Sequence, residues 1–244
     1  MKAMILCAGL GTRLKPWTEK HPKALVPVGG IPMIKRVADR LTEQGFDEIT
    51  VNVHHFGDQI VRYISENESM AGKVKVSDER AELLDTGGGI LHAEELLRKD
   101  NSPFLVHNVD ILSNADLREL LSNHENSGRN ITLLVSERKS DRKLVFDSNM
   151  YLKGWINQNN GAARPEDLRI ENSDRLLSFS GIYVMDTMVF DVMKSMGFEG
   201  AFPIMDFFLS AIPRIKIGGY MQSDLDLIDI GKPDTLHRAN LSIQ

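Results

Sequence analysis

The sequence predicts an α/β fold: a Rossmann-like, doubly wound mixed sheet, mostly parallel, with a smaller β-rich part inserted into it. Three observations predict this. Apolar strand segments alternate with amphipathic helical segments through the first 136 residues. After Ser136 the rhythm changes to short β segments joined by loops. Near the end a strand-like LDLIDI and a final helical stretch return to the earlier style.

KAMILC, at the start of the chain, reads as a buried strand. Between Pro32 and Gln44, Met33, Ile34, Val37 and Leu41 fall on one helical face, and Gly45 then stops the helix. DEITVNVHH predicts a strand, QIVRYISEN a helix and KVKVS another strand. GGILHAEELLRK predicts a helix opened by glycines, and SPFLVHNVD a strand with an apolar run. A helix around ADLRELLSNHE leads into strand NITLLVS. Such alternation favours right-handed crossovers and parallel pairing. In the second half, KLVFD, YLKGWIN and LLSFSGIYVMD read as β segments, and NQNNGAARPED and RIENSDR as loops. Two short helices are expected near Met188–Met193 and Ile204–Ile212, and LDLIDI is expected to rejoin the main sheet near Ile228. One domain over 1–244 follows: a core part over 1–136, an inserted part over 137–222 and a return over 223–244. Ligands of such sheets bind beyond the carboxyl ends of the strands, where AGLGTR, HNVD and IDIG all fall.

Composition narrows the function classes. Among 244 residues, 42% are hydrophobic and 26% charged, a balance suited to a globular core. A net charge of −5 gives no electrostatic case for nucleic acid or an anionic membrane. No apolar run approaches the length that spans a bilayer, and the short run from Ala3 to Ala8 meets glycines too soon for a signal peptide. The single cysteine, Cys7, forms no intrachain disulfide and reads as a small buried hydrophobe. The expected setting is cytoplasm. Oligomeric state is not readable from the sequence.

The loop after the first strand carries the chemistry. Its two glycines, Gly9 and Gly11, suggest a dinucleotide fingerprint, but Leu14 stands where the third glycine belongs and Pro16 interrupts any early helix. No Gly-Lys-Ser/Thr follows, so it is not a P-loop either. Arg13 and Lys23 share the loop with prolines 16, 22 and 27. Glycine backbone N–H groups, a planar guanidinium and a compact ammonium together suit a polyphosphate.

LCAGLGTRLKPWTEKHPKALVPV resembles the signature of sugar-1-phosphate nucleotidyltransferases, L-A-x-G-x-G-T-R-L-x-P-x-T-x-x-x-P-K-P-L-x-P. Cys7 and Ala24 depart from it without removing a charge. The resemblance continues through TGGGI, VHNVD, FSGIYVMD and IDIGKPD, and so spans nearly the whole chain. It implies the nucleotide-diphospho-sugar transferase fold, with 1–136 binding nucleotide and 137–222 mainly binding sugar. It also implies a reaction: an oxygen of a sugar 1-phosphate attacks the α-phosphorus of an NTP, and pyrophosphate leaves. Positioning and charge neutralisation then dominate catalysis.

By the same resemblance Arg13 stabilises the triphosphate and Lys23 holds the sugar phosphate. Ala8, Gly9, Gly11 and Thr12 belong to the nucleotide loop. Gly87 and Gly88 belong to the base pocket, with Glu79 beside them. Asn108, Ser180 and Gly181 line the sugar pocket. Asn52 either meets the ligand or holds a loop. Asp110 and Asp229 are the implied ligands of Mg2+, a hard cation that bridges phosphates with one or two carboxylates. Val109 replaces the family's usual glycine, a change that bears on the backbone beside the metal. His54, His55, His92 and His107 lack zinc spacing and read as structural or pocket-lining.

YLKGWINQNN replaces the Glu-Lys-Pro segment with which many relatives grip sugar hydroxyls, which weakens a glucose or rhamnose-pathway assignment. The chain is most similar to N-acetylmuramate-1-phosphate uridylyltransferases, with mannose- or heptose-1-phosphate guanylyltransferases as close rivals, so UTP or GTP is the expected nucleotide. The sequence also lacks the hexapeptide repeats of bifunctional uridylyl/acetyltransferases. A nucleotide-binding regulatory subunit without catalysis is the alternative from another class, and the joint presence of Arg13, Lys23, Asp110 and Asp229 argues against it.

Overall fold

The computed structural model describes residues 1–242 of the 244. In chain order the first half contains β1 (Lys2–Leu6), β2 (Pro27–Val28), β3 (Ile31–Pro32), α1 (Met33–Glu43), β4 (Glu48–Val53), α2 (Gly57–Glu66) and β5 (Val74–Asp78). It continues with α3 (Asp85–His92), α4 (Glu94–Leu97), β6 (Phe104–Asn108), β7 (Ile111–Ser113), α5 (Leu117–Ser127) and β8 (Ile131–Ser136). The second half contains β9 (Arg142–Phe146), β10 (Leu152–Asn157), β11 (Ala163–Arg164), β12 (Arg175–Met185), α6 (Val189–Ser195), α7 (Ile204–Ala211), β13 (Ile217–Tyr220), β14 (Leu227–Asp229) and α8 (Pro233–Ser242).

Ten strands form one mixed sheet in the order β11-β10-β9-β12-β6-β1-β4-β5, with β8 paired to β12 and β13 to β8. β6, β1, β4 and β5 run parallel. Alternation along β1 divides the core between the two faces. Ala3 and Ile5 join the cluster containing Met33, Ile34, Val37 and Leu41 of α1, whereas Met4 and Leu6 join the cluster containing Phe190, Phe207 and Phe208 of α6 and α7. Helix α1 forms as its period dictates, and Gly45 at φ +85° turns the chain away after it. Helix α5 is capped by the Asp116 carboxylate, which accepts the Glu119 N–H at 2.9 Å, and ends at Gly128 in the left-handed region.

The structure differs from the sequence expectations in four places. The change after Ser136 is an extension of the same sheet. The long strand β12 pairs with β9 over residues 175–177, with β8 between Ser178 and Met185 and with β6 over residues 182–185, so it ties the two parts together. LDLIDI does not rejoin the main sheet. Among the described residues β14 pairs only with β7, in a two-stranded ribbon with Asp229 opposite Ile111, because the turn at Val109–Asp110 has already carried β7 off the sheet. The strand on the main sheet is β13, in parallel register with β8. Its IGGY sequence hides it. Its glycines serve close packing, since a Cβ on Gly218 would stand 2.3 Å from Arg129 Nε. Lastly, the helix expected from Gly88 onward begins at Asp85 and breaks at Ala93, where α4 starts. Residues 243 and 244 of the expected return lie outside the described residues. Among the described residues no helix is long and apolar enough to cross a membrane.

Candidate active site

A cavity of about 410 Å³ opens at the carboxyl ends of β1, β4 and β6. Leu6 through Arg13 line one side, Lys23 and Asn52 another, and Leu83, Asp85 and Thr86 a third. Asn108, Val109, Asp110 and Gly231 complete it.

The loop after β1 is shaped by one glycine above all. Gly11 has φ +62°, and a Cβ there would stand 2.8 Å from Thr18 Cγ2 and 3.0 Å from Lys23 Cβ. The Thr18 hydroxyl donates to the Gly11 carbonyl at 2.9 Å. The loop therefore folds back on itself, which brings Lys23 beside the segment that carries Arg13. Gly9 faces open space. Ala8 is buried against the core, and Thr12 and Arg13 are exposed at the rim. The head of the loop is held from below. The Asn52 side-chain carbonyl accepts the Cys7 N–H at 2.7 Å, and its amide donates to Glu79 Oε1 at 2.9 Å.

The two aspartates meet through the β7·β14 ribbon. Asp110 ends the turn after β6, its carbonyl accepts the Ile230 N–H at 2.9 Å, and Asp229 lies opposite the next residue, Ile111. Gly231 is the hub. The Asp229 Oδ1 accepts its N–H at 2.8 Å. A Cβ on Gly231 would stand 2.8 Å from both Asp229 Oδ1 and Arg13 Nη2 and 3.3 Å from Asp110 Oδ2. Two carboxylate oxygens and one guanidinium nitrogen thus crowd the point that a Cβ would take. Lys23 donates to Asp110 in a close ion pair, both side chains 14% exposed. Hard carboxylate oxygens in such a cradle fit Mg2+, with further ligands from substrate and water.

The structure brings Ala8, Gly9, Gly11, Thr12, Arg13, Lys23, Asn108 and Asp110 to one cavity, with Asp229 at its edge behind Gly231. Five expected residues are placed elsewhere. Glu79 is 2% exposed and bonded to Asn52, beneath the cavity floor. Burial raises its carboxyl pKa above the usual range, and the Asn52 hydrogen bond opposes that rise. Gly87 and Gly88 face the other way. Their N–H groups donate to the Phe202 carbonyl at 2.9 and 3.2 Å. Ser180 is 1% exposed and donates to the Leu134 carbonyl at 2.6 Å. Gly181, at φ +80° in a bulge of β12, packs under Asn108, where a Cβ would stand 2.7 Å from Nδ2. Val109, 3% exposed, sends its side chain into the core, so the cavity meets its backbone.

Sequence reading missed Leu83, Asp85, Thr86 and Gly231. A signal existed for Gly231, which follows Asp229 within IDIGKPD. Asp85 carried none: it adopts φ +56°, a non-glycine residue in the left-handed region, with the Thr86 N–H donating to its Oδ1 at 2.6 Å. His107, fully buried at the end of β6, has its pKa pushed down to about 4, chiefly by desolvation, so it is neutral.

Known proteins can be set beside this geometry. In solved structures, the fold matches HddC from Yersinia pseudotuberculosis complexed with GMP-PN, with a TM-score of 0.77 at 21% identity over 100% of this chain and 99% of that one. It also matches a putative glucose-1-phosphate thymidylyltransferase from Bacillus anthracis, with a TM-score of 0.80 at 20% identity over 99% and 94%. In sequence, the chain is 44% identical over 110 residues to an N-acetylmuramate alpha-1-phosphate uridylyltransferase of Caulobacter vibrioides, covering 44% of this chain and 45% of that protein. It is 35% identical over 144 residues to a mannose-1-phosphate guanyltransferase of Gibberella zeae, covering 59% and 39%. The matched segments span less than half of these curated relatives. The profile of nucleotidyl transferases matches residues 2–146, more than half of the chain and the part that supplies the loop, Lys23 and Asp110. The chain belongs to the nucleotidyl transferase family.

Proposed function

We propose that this protein transfers a nucleotidyl group from an NTP to a sugar 1-phosphate, giving an NDP-sugar and pyrophosphate. One observation carries the reading: Arg13 and Asp229 border the space beside Gly231, Asp110 reaches it, and Lys23 pairs with Asp110. Two cations and two carboxylates meet at the strand ends, where two phosphate-bearing substrates must be joined.

In-line attack on the α-phosphorus forms one P–O bond and breaks another, without an enzyme-bound intermediate. The protein's share is orientation and charge compensation. The backbone of Ala8 to Thr12 takes the triphosphate, and Arg13 compensates the charge that develops on the leaving pyrophosphate. Lys23, released from Asp110, takes the phosphate of the sugar. Asp110 and Asp229 would hold Mg2+, which supplies further neutralisation of phosphate charge. Asn108, supported by Gly181 beneath it, faces the sugar side. Losing Arg13 or Lys23 is expected to slow turnover by about 10²–10³.

The finer assignment is uridylyl transfer to N-acetylmuramate 1-phosphate. The 44% identity to the relative of that name supports it. Guanylyl transfer to mannose or heptose 1-phosphate is the second reading, favoured by the guanyltransferase named above, whose match covers more of this chain. The test is pyrophosphate release with UTP and GTP crossed against N-acetylmuramate, mannose, heptose and glucose 1-phosphates. A single productive pair is expected. No release from any pair, with nucleotide still bound, would replace the enzyme reading with that of a nucleotide-binding subunit.

A further inference from the structure

The turn Leu83–Thr86 forms one wall of the cavity, yet little in its own sequence fixes it there. Asp85 stands at φ +56°, a strained conformation for a non-glycine residue that its surroundings must hold beyond the local bond from the Thr86 N–H to its Oδ1. The surroundings are a distant segment, Gly200–Ile204, which leads from the loop after α6 into the first residue of α7. The Phe202 N–H donates to the Leu84 carbonyl at 3.1 Å, and the Phe202 carbonyl accepts from Gly87 and Gly88. The Ile204 N–H donates to Thr86 Oγ1 at 2.9 Å. Four hydrogen bonds therefore bracket the turn from both sides.

The contact is also close. A Cβ on Gly87 would lie 2.3 Å from the Phe202 ring, and one on Gly88 would lie 2.1 Å from the Gly200 carbonyl oxygen. These glycines let two backbones approach each other; they do not open space for a ligand. The Phe202 ring is fixed in turn by Phe198, centroids 4.8 Å apart, and Phe198 meets Phe207 of α7 edge-on at 5.5 Å. Phe202 is 8% exposed although its neighbours Ala201 and Pro203 are exposed.

We propose that Phe202 is a positioning residue for nucleotide. It touches no substrate but sets the Leu83–Thr86 wall through the backbone of α3, and so governs NTP affinity more than sugar-phosphate affinity. This rests on the reading of the cavity as an NTP site. A purely structural residue would lower the melting temperature and leave the Michaelis constants of the folded enzyme alone.

The test is steady-state kinetics of Phe202→Ala, Phe202→Leu, Gly87→Ala and the pair Gly87→Ala/Phe202→Ala, with amide hydrogen exchange of residues 83–88. Phe202→Ala is expected to raise KM for NTP about tenfold and to change KM for sugar phosphate less than about twofold, with Phe202→Leu between it and wild type. Gly87→Ala is expected to act alike in the parent and to keep only part of its effect once the ring is gone, because the added methyl then escapes the ring but still stands 2.9 Å from the Phe202 carbonyl oxygen. Exchange at the Gly87 and Gly88 amides is expected to speed up about tenfold in Phe202→Ala, or in Phe202→Leu should the alanine variant fail to fold. Unchanged KM for NTP in a folded Phe202 variant, or equal rises in both KM values, overturns the proposal, as does unchanged exchange. If the parent binds no nucleotide of any kind, the enzyme reading falls first. Faster exchange in the variants would then show the clamp to be purely architectural.

Discussion

Lys23→Met would leave the Asp110 carboxylate without its counter-ion in the mouth of the cavity. Both side chains are 14% exposed, so the pair lies between the surface and the interior. At contact distance the attraction runs from about 1 kcal/mol in water to about 4 kcal/mol at an effective dielectric near 20. Desolvation of both groups offsets part of that, whereas removing one partner leaves the other charge uncompensated. The loss expected for Lys23→Met is about 2 kcal/mol, below the roughly 3–5 kcal/mol of a fully buried pair. For a chain of this size that lowers the melting temperature by roughly 4–8 °C. Asp110→Asn is expected to destabilise less, since an amide remains to accept from Lys23. The double variant Lys23→Met/Asp110→Asn leaves no charge unpaired and is expected to recover about 1 kcal/mol or more relative to the sum of the singles. Urea unfolding followed by circular dichroism, without Mg2+ or nucleotide, measures all four corners of the cycle. Additivity within about 0.3 kcal/mol would refute the ion pair as a coupled unit. It would also remove the claim that Lys23 must leave Asp110 before it takes a phosphate.

Gly11→Ala adds a Cβ to a left-handed residue, 2.8 Å from Thr18 Cγ2; a stability loss of about 1–3 kcal/mol, with a fall in kcat as Lys23 is displaced, is expected in melting and turnover assays. Gly231→Ala puts a methyl between Arg13, Asp229 and Asp110; the Mg2+ concentration giving half-maximal activity should rise about 10–100-fold, and an unchanged Mg2+ titration would refute the cradle. His107 is neutral in the fold, its pKa pushed down to about 4 by burial, with the Asp110 charge opposing that and Arg40 reinforcing it. The unfolded chain therefore binds the extra proton first: stability is retained above about pH 6.5 and lost as pH falls toward 4, by roughly 3 kcal/mol in all. His107→Gln should flatten that part of the stability–pH curve, and parallel curves for the two proteins would refute the assignment.

The loop was legible because its chemistry is contiguous. Gly9, Gly11, Arg13, Lys23 and three prolines lie within one stretch, and nothing distant is needed to see that such a stretch suits phosphate. The parallel strands β1, β4, β5 and β6 were legible for a similar reason, since period and apolar runs are local properties. The main sheet's β13 was not, because two glycines erase its strand pattern and what they make room for lies far away in the chain: Arg129 against Gly218, and Met150, Phe146 and Val135 against Gly219. Nor was the fate of LDLIDI, whose apolar run suits any sheet; the turn at Asp110 alone gives it β7 as partner. The roles of single residues diverged most where packing decides them. Gly87 and Gly88 read as parts of a base pocket and stand tight against Phe202, and Ser180 reads as sugar-pocket lining and donates to the Leu134 carbonyl. The family resemblance and the charged, glycine-bearing loop come from the sequence alone, because charge and glycine content are carried residue by residue. Tertiary structure alone decided which carboxylates share a space, which glycines face solvent and which side chains hold others still, because those depend on contacts between segments far apart in the chain.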